Sequence, residues 1–307
     1  MFMLWFFIAL LGYVLLAIAF ILDKFILTES VDNPVVYTFY STIVMFGAVL
    51  LFPFMGFQWL NGVNWLWAIL SGVSFGFGLL MLYKALQKGE SSHIQPFNGA
   101  IITITTFTIA SYTLGETLTL AQKIGVGILI ISSLLLSFEK SRKHNGFHIG
   151  FVWAAISGVL FGVSHLSAKY LYTIYDFWPA FTWTRATTGL VGLLCLAYPS
   201  VRNTFKKGKQ KNEKKQTSAK KYAVPIIMVN KIFAMGAVVI IQYAAAIGSV
   251  TLVFALSGLQ YALMFVIILV LSKWFKSLFN EYFTKRELVI ETIAIILVII
   301  GSALFVF

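Results

Sequence analysis

The sequence repeats one pattern of long apolar segments and lone charged residues after about half its length. Residues 21–25 (ILDKF) correspond to residues 166–170 (LSAKY) at an offset of 145, and in both a single lysine follows a long apolar segment. Ten residues after these lysines come Pro34 and Pro179, close to the start of the next apolar segment. Duplication of a membrane-type pattern is typical of secondary transporters.

The composition indicates a membrane protein. Hydrophobic residues make up 59% of the 307 residues and charged residues only 11%, whereas soluble domains have about 25% charged residues. The net charge of +12 does not predict a nucleic-acid partner, because most of the excess lies in one loop between apolar segments, as basic loops do in membrane proteins. We therefore expect an integral, multi-pass protein surrounded by membrane lipids.

Apolar segments of about 20 residues, the length that spans a bilayer, define the predicted helices. Five segments lie in the first half, residues 1–138, and five in the second half, residues 149–307. Residues 139–148 connect the halves, and the second half contains the basic loop 200–222. Because five is odd, the halves have opposite orientations. The predicted fold is all-α, with ten transmembrane helices in two inverted five-helix repeats. These helices lie near residues 2–24, 34–55, 64–84, 92–113, 119–138, 149–171, 177–198, 223–244, 248–272 and 287–307.

The distribution of basic residues predicts the orientation. Connections after odd-numbered segments carry 19 lysines and arginines, whereas those after even-numbered segments carry only Lys123 and Lys169. Basic loops stay in the cytoplasm. We therefore expect loop 200–222 to be cytoplasmic, in the cytoplasmic membrane of a prokaryote.

Several short motifs follow one another in a recognisable order. Residues 83–86 (YKAL) precede Gly89 and Pro96, residues 114–119 (LGETLT) precede Gln122 and Gly125, residues 280–284 (NEYFT) repeat that turn, and Arg185 lies in residues 184–186 (TRA). Together they resemble the EamA-like ten-helix members of the drug/metabolite transporter superfamily. The resemblance implies a secondary transporter that moves a small metabolite through a central cavity by alternating access. It implies no ATPase and no cofactor, and it implies coupling to an ion such as a proton or exchange for another metabolite.

Two basic residues inside apolar segments are the first candidates for substrate binding. A charge at the centre of a membrane helix costs about 2.5–3.5 kcal/mol. Lys231, beside Asn230, lies about eight residues into the eighth segment, where it either meets an anionic group of the substrate or snorkels to the interface. Arg185, in the seventh segment, suits a carboxylate or phosphate because guanidinium binds two oxygens at once. The alternative role for Arg185 is a bond to helix-end carbonyls.

Polar residues in other segments complete the candidate site. His93 and Asn98 flank Pro96, whose missing N–H favours an irregular, hydrated stretch, and the histidine there either takes part in transport or simply lies in water. Polar residues of the eighth segment bind substrate or join helices, and a tryptophan at the start of the seventh segment lines the cavity. The predicted substrate-binding residues are Lys231, Asn230, Arg185, His93, Asn98, Gln242, Tyr243 and Trp183.

Charged residues at segment ends receive structural roles. Glu116 precedes a helix by a few residues, so stabilisation of a helix N-terminus explains it. Lys24 and Lys169 lie at helix ends and are expected to anchor the helices at the membrane interface. His165 lies deeper, and either faces the cavity or packs between helices.

Three classes of function remain open. No catalytic or metal-binding motif occurs in the sequence, so we do not expect an enzyme. Because basic residues in the apolar segments outnumber acidic ones, we predict a substrate with a carboxylate or phosphate, an amino acid first among these. The alternative is an exporter of lipophilic cations or amines that uses aromatic surfaces and a carboxylate such as Asp23 or Glu291. A third class is an intramembrane enzyme or a sensor that transports nothing.

Overall fold

The computed structural model describes residues 4–29, 33–89, 91–137, 148–207, 218–274 and 285–305. In this part of the chain the backbone is helical apart from short turns and contains no strand. Residues 138–147, which hold most of the predicted connection 139–148, lie outside it. The helices are α1 (Leu4–Glu29), α2 (Pro34–Ile43), α3 (Phe52–Met55), α4 (Asn64–Lys88), α5 (Ser91–Thr113), α6 (Leu120–Leu136), α7 (Ile149–Tyr172), α8 (Phe177–Cys195), α9 (Pro199–Lys207), α10 (Ser218–Ile247), α11 (Val250–Ala255), α12 (Ser257–Trp274) and α13 (Lys285–Ala303).

Five described stretches are long and apolar enough to cross a membrane. They are Leu4–Leu22, Pro34–Met55, Asn64–Lys88, Ile149–Tyr172 and Val250–Ile267, and shorter apolar helices occupy Leu120–Leu136, Ile232–Ile247 and Leu288–Ala303. The predicted helical, multi-pass architecture is therefore confirmed, while the number of ten spans and the inverted repeat stay predictions. The helices α5 and α8 are less apolar because both carry several buried threonines.

Three predicted segments differ from the structure. A 3-10 stretch, Val44–Leu51, interrupts span 34–55. It ends two residues before Pro53, which has no N–H to donate in an α-helical turn. Span 248–272 is divided at Leu256 into α11 and α12. The basic loop 200–222 begins with the helix α9, in which Val201 is buried and Phe205 packs edge-on against Phe39 at 5.8 Å.

Side chains fix the starts of several helices. The Asn33 carboxamide oxygen accepts the N–H groups of Val35 and Val36 at the start of α2. Thr119 and Gln122 form a reciprocal pair of bonds at the start of α6, and Ser249 accepts the N–H of Leu252 in α11. Such caps contribute about 1 kcal/mol each, so the polar residues between apolar segments set where the helices begin.

The helix α4 packs closely on both α7 and α8, and small residues allow this. A methyl group on Gly72 would lie 2.2 Å from Thr187 Oγ1, and one on Gly76 would lie 2.6 Å from the Val191 side chain, both on α8. Lipid is as apolar as the helix surfaces, so van der Waals contact and hydrogen bonds drive helix association in a bilayer. The bundle also contains close pairs of α1 with α10 and α12, α5 with α7 and α11, α2 with α8, and α6 with α13.

Four connections meet at one end of the bundle. The Tyr175 hydroxyl accepts the Asn61 backbone N–H at 2.9 Å, and a Glu116 carboxylate oxygen accepts the Thr251 N–H at 3.4 Å. We call this the turn end, which comprises residues 56–63, 114–119, 173–176 and 248–249. It is the end whose connections carry few basic residues.

We predict that Gly72→Ala destabilises the protein, because the added methyl group would overlap the α8 backbone at 2.5 Å as well as Thr187 Oγ1. Overpacking of this kind costs about 1–3 kcal/mol. The measurement is the thermal unfolding midpoint of the purified protein. Gly127→Ala in α6 is the matched control, since nothing lies within 4 Å of its added methyl group and alanine favours a helix. An equal loss in both variants would contradict close α4–α8 packing.

Candidate substrate-binding site

The Arg185 guanidinium on α8 is buried and has no counter-charge among the described residues. The residue is 2% exposed, and none of Nε, Nη1 and Nη2 donates a hydrogen bond to the described part of the chain. The guanidinium lies over the Phe75 ring, 4.4 Å from its centroid, and 5.7 Å from that of Phe181. A cation–π contact contributes about 2 kcal/mol when desolvated, less than guanidinium loses by leaving water. The site therefore holds a cation with free donors.

A chain of hydrogen bonds from α7 to α10 lies beside this arginine. The Gln242 amide nitrogen is 2.9 Å from His165 Nδ1, and the Tyr172 hydroxyl donates to the Gln242 carboxamide oxygen at 3.2 Å. Because the amide nitrogen can only donate, His165 Nδ1 accepts and the ring proton is on Nε2. The His165 ring also stacks on Phe254 with centroids 3.9 Å apart.

Phe75 joins the arginine and the histidine into one site. Its ring contacts the Arg185 guanidinium and lies 6.3 Å from the His165 ring. Arg185 also lies within electrostatic range of His165 and Tyr172. The helices α4, α7, α8, α10 and α11 thus place a cation, amide and imidazole groups and aromatic faces together. This combination suits a ligand with an anionic group and an apolar body.

The eighth predicted segment contributes one of its candidates to this site. Gln242 lies in it, whereas Asn230, which is buried, lies twelve residues earlier on α10. That separation is about 18 Å along a helix, so Asn230 is not part of the same cluster. Lys231 lies on α10, but its side chain is outside the described residues, and its role stays a prediction.

Two candidates from the fourth segment join helices. His93 Nδ1 is 3.0 Å from the Leu136 carbonyl oxygen on α6, and the Asn98 amide donates to the Ala154 carbonyl oxygen on α7 at 2.9 Å. Both lie near the start of α5, away from the turn end. The structure therefore places them outside the site around Arg185, because their polar atoms reach the ends of neighbouring helices.

The last two candidates lie at the edge of the bundle. Tyr243 is 40% exposed and packs edge-on against Phe177 at 5.2 Å. The Trp183 indole N–H donates to the Gln58 carbonyl oxygen at 2.9 Å. Trp183 also heads a cluster at the turn end, with ring centroids 4.7–6.2 Å from those of Phe52, Phe57, Trp59 and Trp65.

Sequence reasoning missed part of the site. Tyr172, Phe75 and Phe254 were not among the predicted residues, and His165 was left between a cavity role and a packing role. The spacing of His165 and Tyr172, seven residues apart, places them on one face of α7 and is the signal that could have paired them. Among the described residues, no group of three or more His, Cys, Asp and Glu side chains is arranged to hold a metal ion.

These features define a multi-pass helical membrane protein with a polar site between its helices. Residues 3–138 match the model of the EamA-like transporter family. The first half of the chain is therefore similar to this family of small-molecule membrane transporters, and the resemblance seen in the sequence motifs is confirmed over these residues.

Two further comparisons extend this result. An uncharacterized protein of Methanocaldococcus jannaschii is 42% identical over 75 residues, which cover 24% of this chain and 53% of that protein. This chain thus spans about half the length of the curated relative that it matches. A solved crystal structure superposes with a TM-score of 0.63 at 16% identity, covering 97% of this chain and 94% of the other. At that sequence identity the similarity shows only a shared fold, which extends over nearly the whole chain.

We predict that Asn98→Ala lowers the free energy of unfolding by about 1 kcal/mol, the typical net contribution of one hydrogen bond. The reason is the lost link between α5 and α7. Chemical or thermal unfolding of the purified protein measures it. Asn203→Ala, at an exposed position of α9, serves as the control and is expected to stay within about 0.5 kcal/mol of the wild type. No loss in Asn98→Ala would return Asn98 to the candidate site.

Proposed function

We propose that the protein is a secondary transporter of a small metabolite that carries a carboxylate or phosphate group, an amino acid first among these. The observation that carries this proposal is the buried Arg185 guanidinium, whose three nitrogen atoms have no hydrogen-bond partner among the residues that the structure describes. A planar guanidinium matches two oxygens of a carboxylate or phosphate. An anionic substrate therefore supplies the counter-charge that this part of the fold leaves out.

The neighbouring groups support an anion more than a cation. The His165 Nε2–H follows from the bond that its Nδ1 accepts from Gln242, so the imidazole offers a second donor near Arg185. The rings of Phe75, Phe181 and Phe254 surround these donors with apolar surface. A lipophilic cation would meet the same rings, but it would be repelled by the guanidinium.

The helix pairs support alternating access through an inverted repeat. The repeat predicts that α1 corresponds to α7, α4 to α10, and α5 to α11–α12. With these correspondences, the α4–α7 contact in the structure is matched by the α10–α1 contact. The α5–α7 contact is matched in the same way by the α12–α1 contact. The pairs α2–α8, α5–α11 and α6–α13 map onto themselves. Rocking of one repeat against the other about a fixed site is the usual mechanism of such folds.

The proposed orientation follows the basic residues. The turn end faces the outside of the cytoplasmic membrane, and residues 200–222 face the cytoplasm. Transport is driven by a coupled proton or by exchange for another metabolite. Lys231 lies eleven residues before Gln242 on α10, about 16 Å along the helix. In this proposal it adds a second positive charge on the approach to the site rather than beside Arg185.

We predict that anionic metabolites stabilise the purified protein and that Arg185→Gln abolishes this effect. A ligand present at about 100 times its Kd adds about 2.7 kcal/mol, which a thermal-shift screen of amino acids, organic anions, phosphorylated metabolites and amines detects. Without ligand, Arg185→Gln is expected to be at least as stable as the wild type, because an unpaired buried charge is removed.

Arg202→Gln is the matched control. Arg202 is exposed on α9, where its Nε donates to the Leu196 carbonyl oxygen at 2.7 Å, so the ligand response should persist. Lys231→Ala measures the contribution of the second cation. Stabilisation by amines alone, or an anion response that survives Arg185→Gln, would refute the anionic site and favour the exporter of lipophilic cations.

We predict that proteoliposomes take up the stabilising anion and that Arg185→Gln lowers the initial rate at least tenfold. Hydrogen bonds to a charged group contribute about 1.5–3 kcal/mol, and about 1.4 kcal/mol corresponds to a factor of ten. Radiolabelled ligand with and without unlabelled ligand inside separates exchange from proton coupling. Binding without any flux would instead favour a sensor.

A further inference from the structure

Lys169 closes the carboxyl end of α10 with all of its donors. Its ammonium nitrogen donates to the carbonyl oxygens of Ala245 at 2.8 Å, Ala246 at 2.9 Å and Gly248 at 2.8 Å. These carbonyls belong to the negative end of the helix dipole. Lys169 is therefore not an interfacial anchor, as the sequence suggested, but a link from α7 to α10.

Glu116 binds the other side of the turn between α10 and α11. Its carboxylate accepts the Thr251 backbone N–H and the Thr251 hydroxyl, at the positive end of α11. The helix that Glu116 stabilises is thus α11, and not the α6 helix that follows it in the sequence. A cation and an anion from two other elements hold the two-residue turn Gly248–Ser249, each at the helix end that it suits.

This turn lies directly over the candidate substrate site. Lys169 follows His165 by one helical turn on α7, and Gln242 precedes the end of α10 by five residues. On the outer side, a depression of about 490 Å³ is lined by residues that include Glu116, Lys169 and Gly248. Lys169 and Gly248 thus border this depression, while His165 and Gln242 lie one to two helical turns further along α7 and α10.

Among the described residues, few other contacts hold α7 to α10, in contrast to the extensive contact of α10 with α1. Apart from the Lys169 bonds, the polar links that the described part of the chain makes between α7 and α10 are the bonds of Gln242 with His165 and Tyr172. These bonds belong to the candidate site itself. A substrate that engages Gln242 or His165 thus acts on a link between these helices that is separate from the Lys169 bonds.

We propose that Lys169 and Glu116 form a latch that keeps the α10–α11 turn closed over the substrate site, and that opening of the turn end requires its release. Both are positioning residues, because their polar atoms are engaged by the backbone ends of α10 and α11 and not directed at the substrate. This inference rests on the proposed function, since a latch has a role only where a site opens to one side of the membrane.

Access of a thiol reagent to the site tests the latch without any substrate. The native thiol is removed by Cys195→Ser, and Thr184→Cys, beside Arg185 and fully buried, reports access to the site. A membrane-impermeant maleimide is applied to right-side-out and to inside-out vesicles that contain the protein. Asn61→Cys, in the connection 56–63, identifies the vesicles that present the turn end.

Lys169→Met is expected to raise the labelling rate of Thr184→Cys from the turn end about tenfold, which corresponds to about 1.4 kcal/mol. Glu116→Gln is expected to raise it by a smaller factor, because it keeps an acceptor for Thr251 but loses the charge. Labelling from the opposite side should not change. Lys24→Met is the matched control, because Lys24 is the counterpart of Lys169 at an offset of 145.

Lys24 lies on α1, whose first turn is beside Gly248, about 28 Å along the helix from the turn end. Unchanged labelling in Lys169→Met would overturn the latch. Faster labelling from both sides, or an equal increase in Lys24→Met, would also overturn it, because general loosening would then explain the result. If Lys169→Met does not reach the membrane, Glu116→Gln carries the test. Because no ligand is used, failure of the anion screen leaves this result intact.

Discussion

The contact of α4 with both α7 and α8 is the constraint on which the site depends. On one side, the glycines 72 and 76 bring α8 so near that the Thr187 hydroxyl donates to the Ala68 carbonyl oxygen at 2.7 Å. On the other side, Ser157 on α7 donates to the Gly78 carbonyl oxygen at 2.8 Å. At this separation the Phe75 ring on α4 lies 4.4 Å from the Arg185 guanidinium of α8 and 6.3 Å from the His165 ring of α7.

The buried polar groups in this bundle include some that are hydrogen-bonded to a neighbouring helix and some that are not. Ser157, Thr187 and Asn98 donate to carbonyl oxygens of a neighbouring helix, and so they hold helices together. The charged guanidinium of Arg185 finds no such acceptor in the described part of the chain. A buried polar group that is hydrogen-bonded to a neighbouring helix is explained by the fold. A buried charge without such a bond calls for a partner from outside the fold, such as a ligand.

Segment length and hydropathy predicted most of the helices, because a bilayer demands continuous apolar helices and the sequence shows them directly. The same reasoning did not foresee the 3-10 stretch Val44–Leu51 or the helix α9, since the first packs against α8 and the second against α2, both distant in sequence. For the site, burial of a charge identified Arg185. The sequence did not show which of His93 and His165 lies in the site, because the hydrogen-bond partner of each histidine is on a helix far away in sequence.

The aromatic cluster at the turn end has an optical consequence. Trp183, Trp59 and Trp65 lie with ring centroids 4.7–5.2 Å apart, and Trp183 is two residues from Arg185. Indoles at this distance exchange excitation energy, and their emission depends on their spacing and on water. Any movement of the connection 56–63 relative to α8 changes both. The natural chain thus carries its own fluorescent reporter at the end of the bundle where the four connections meet.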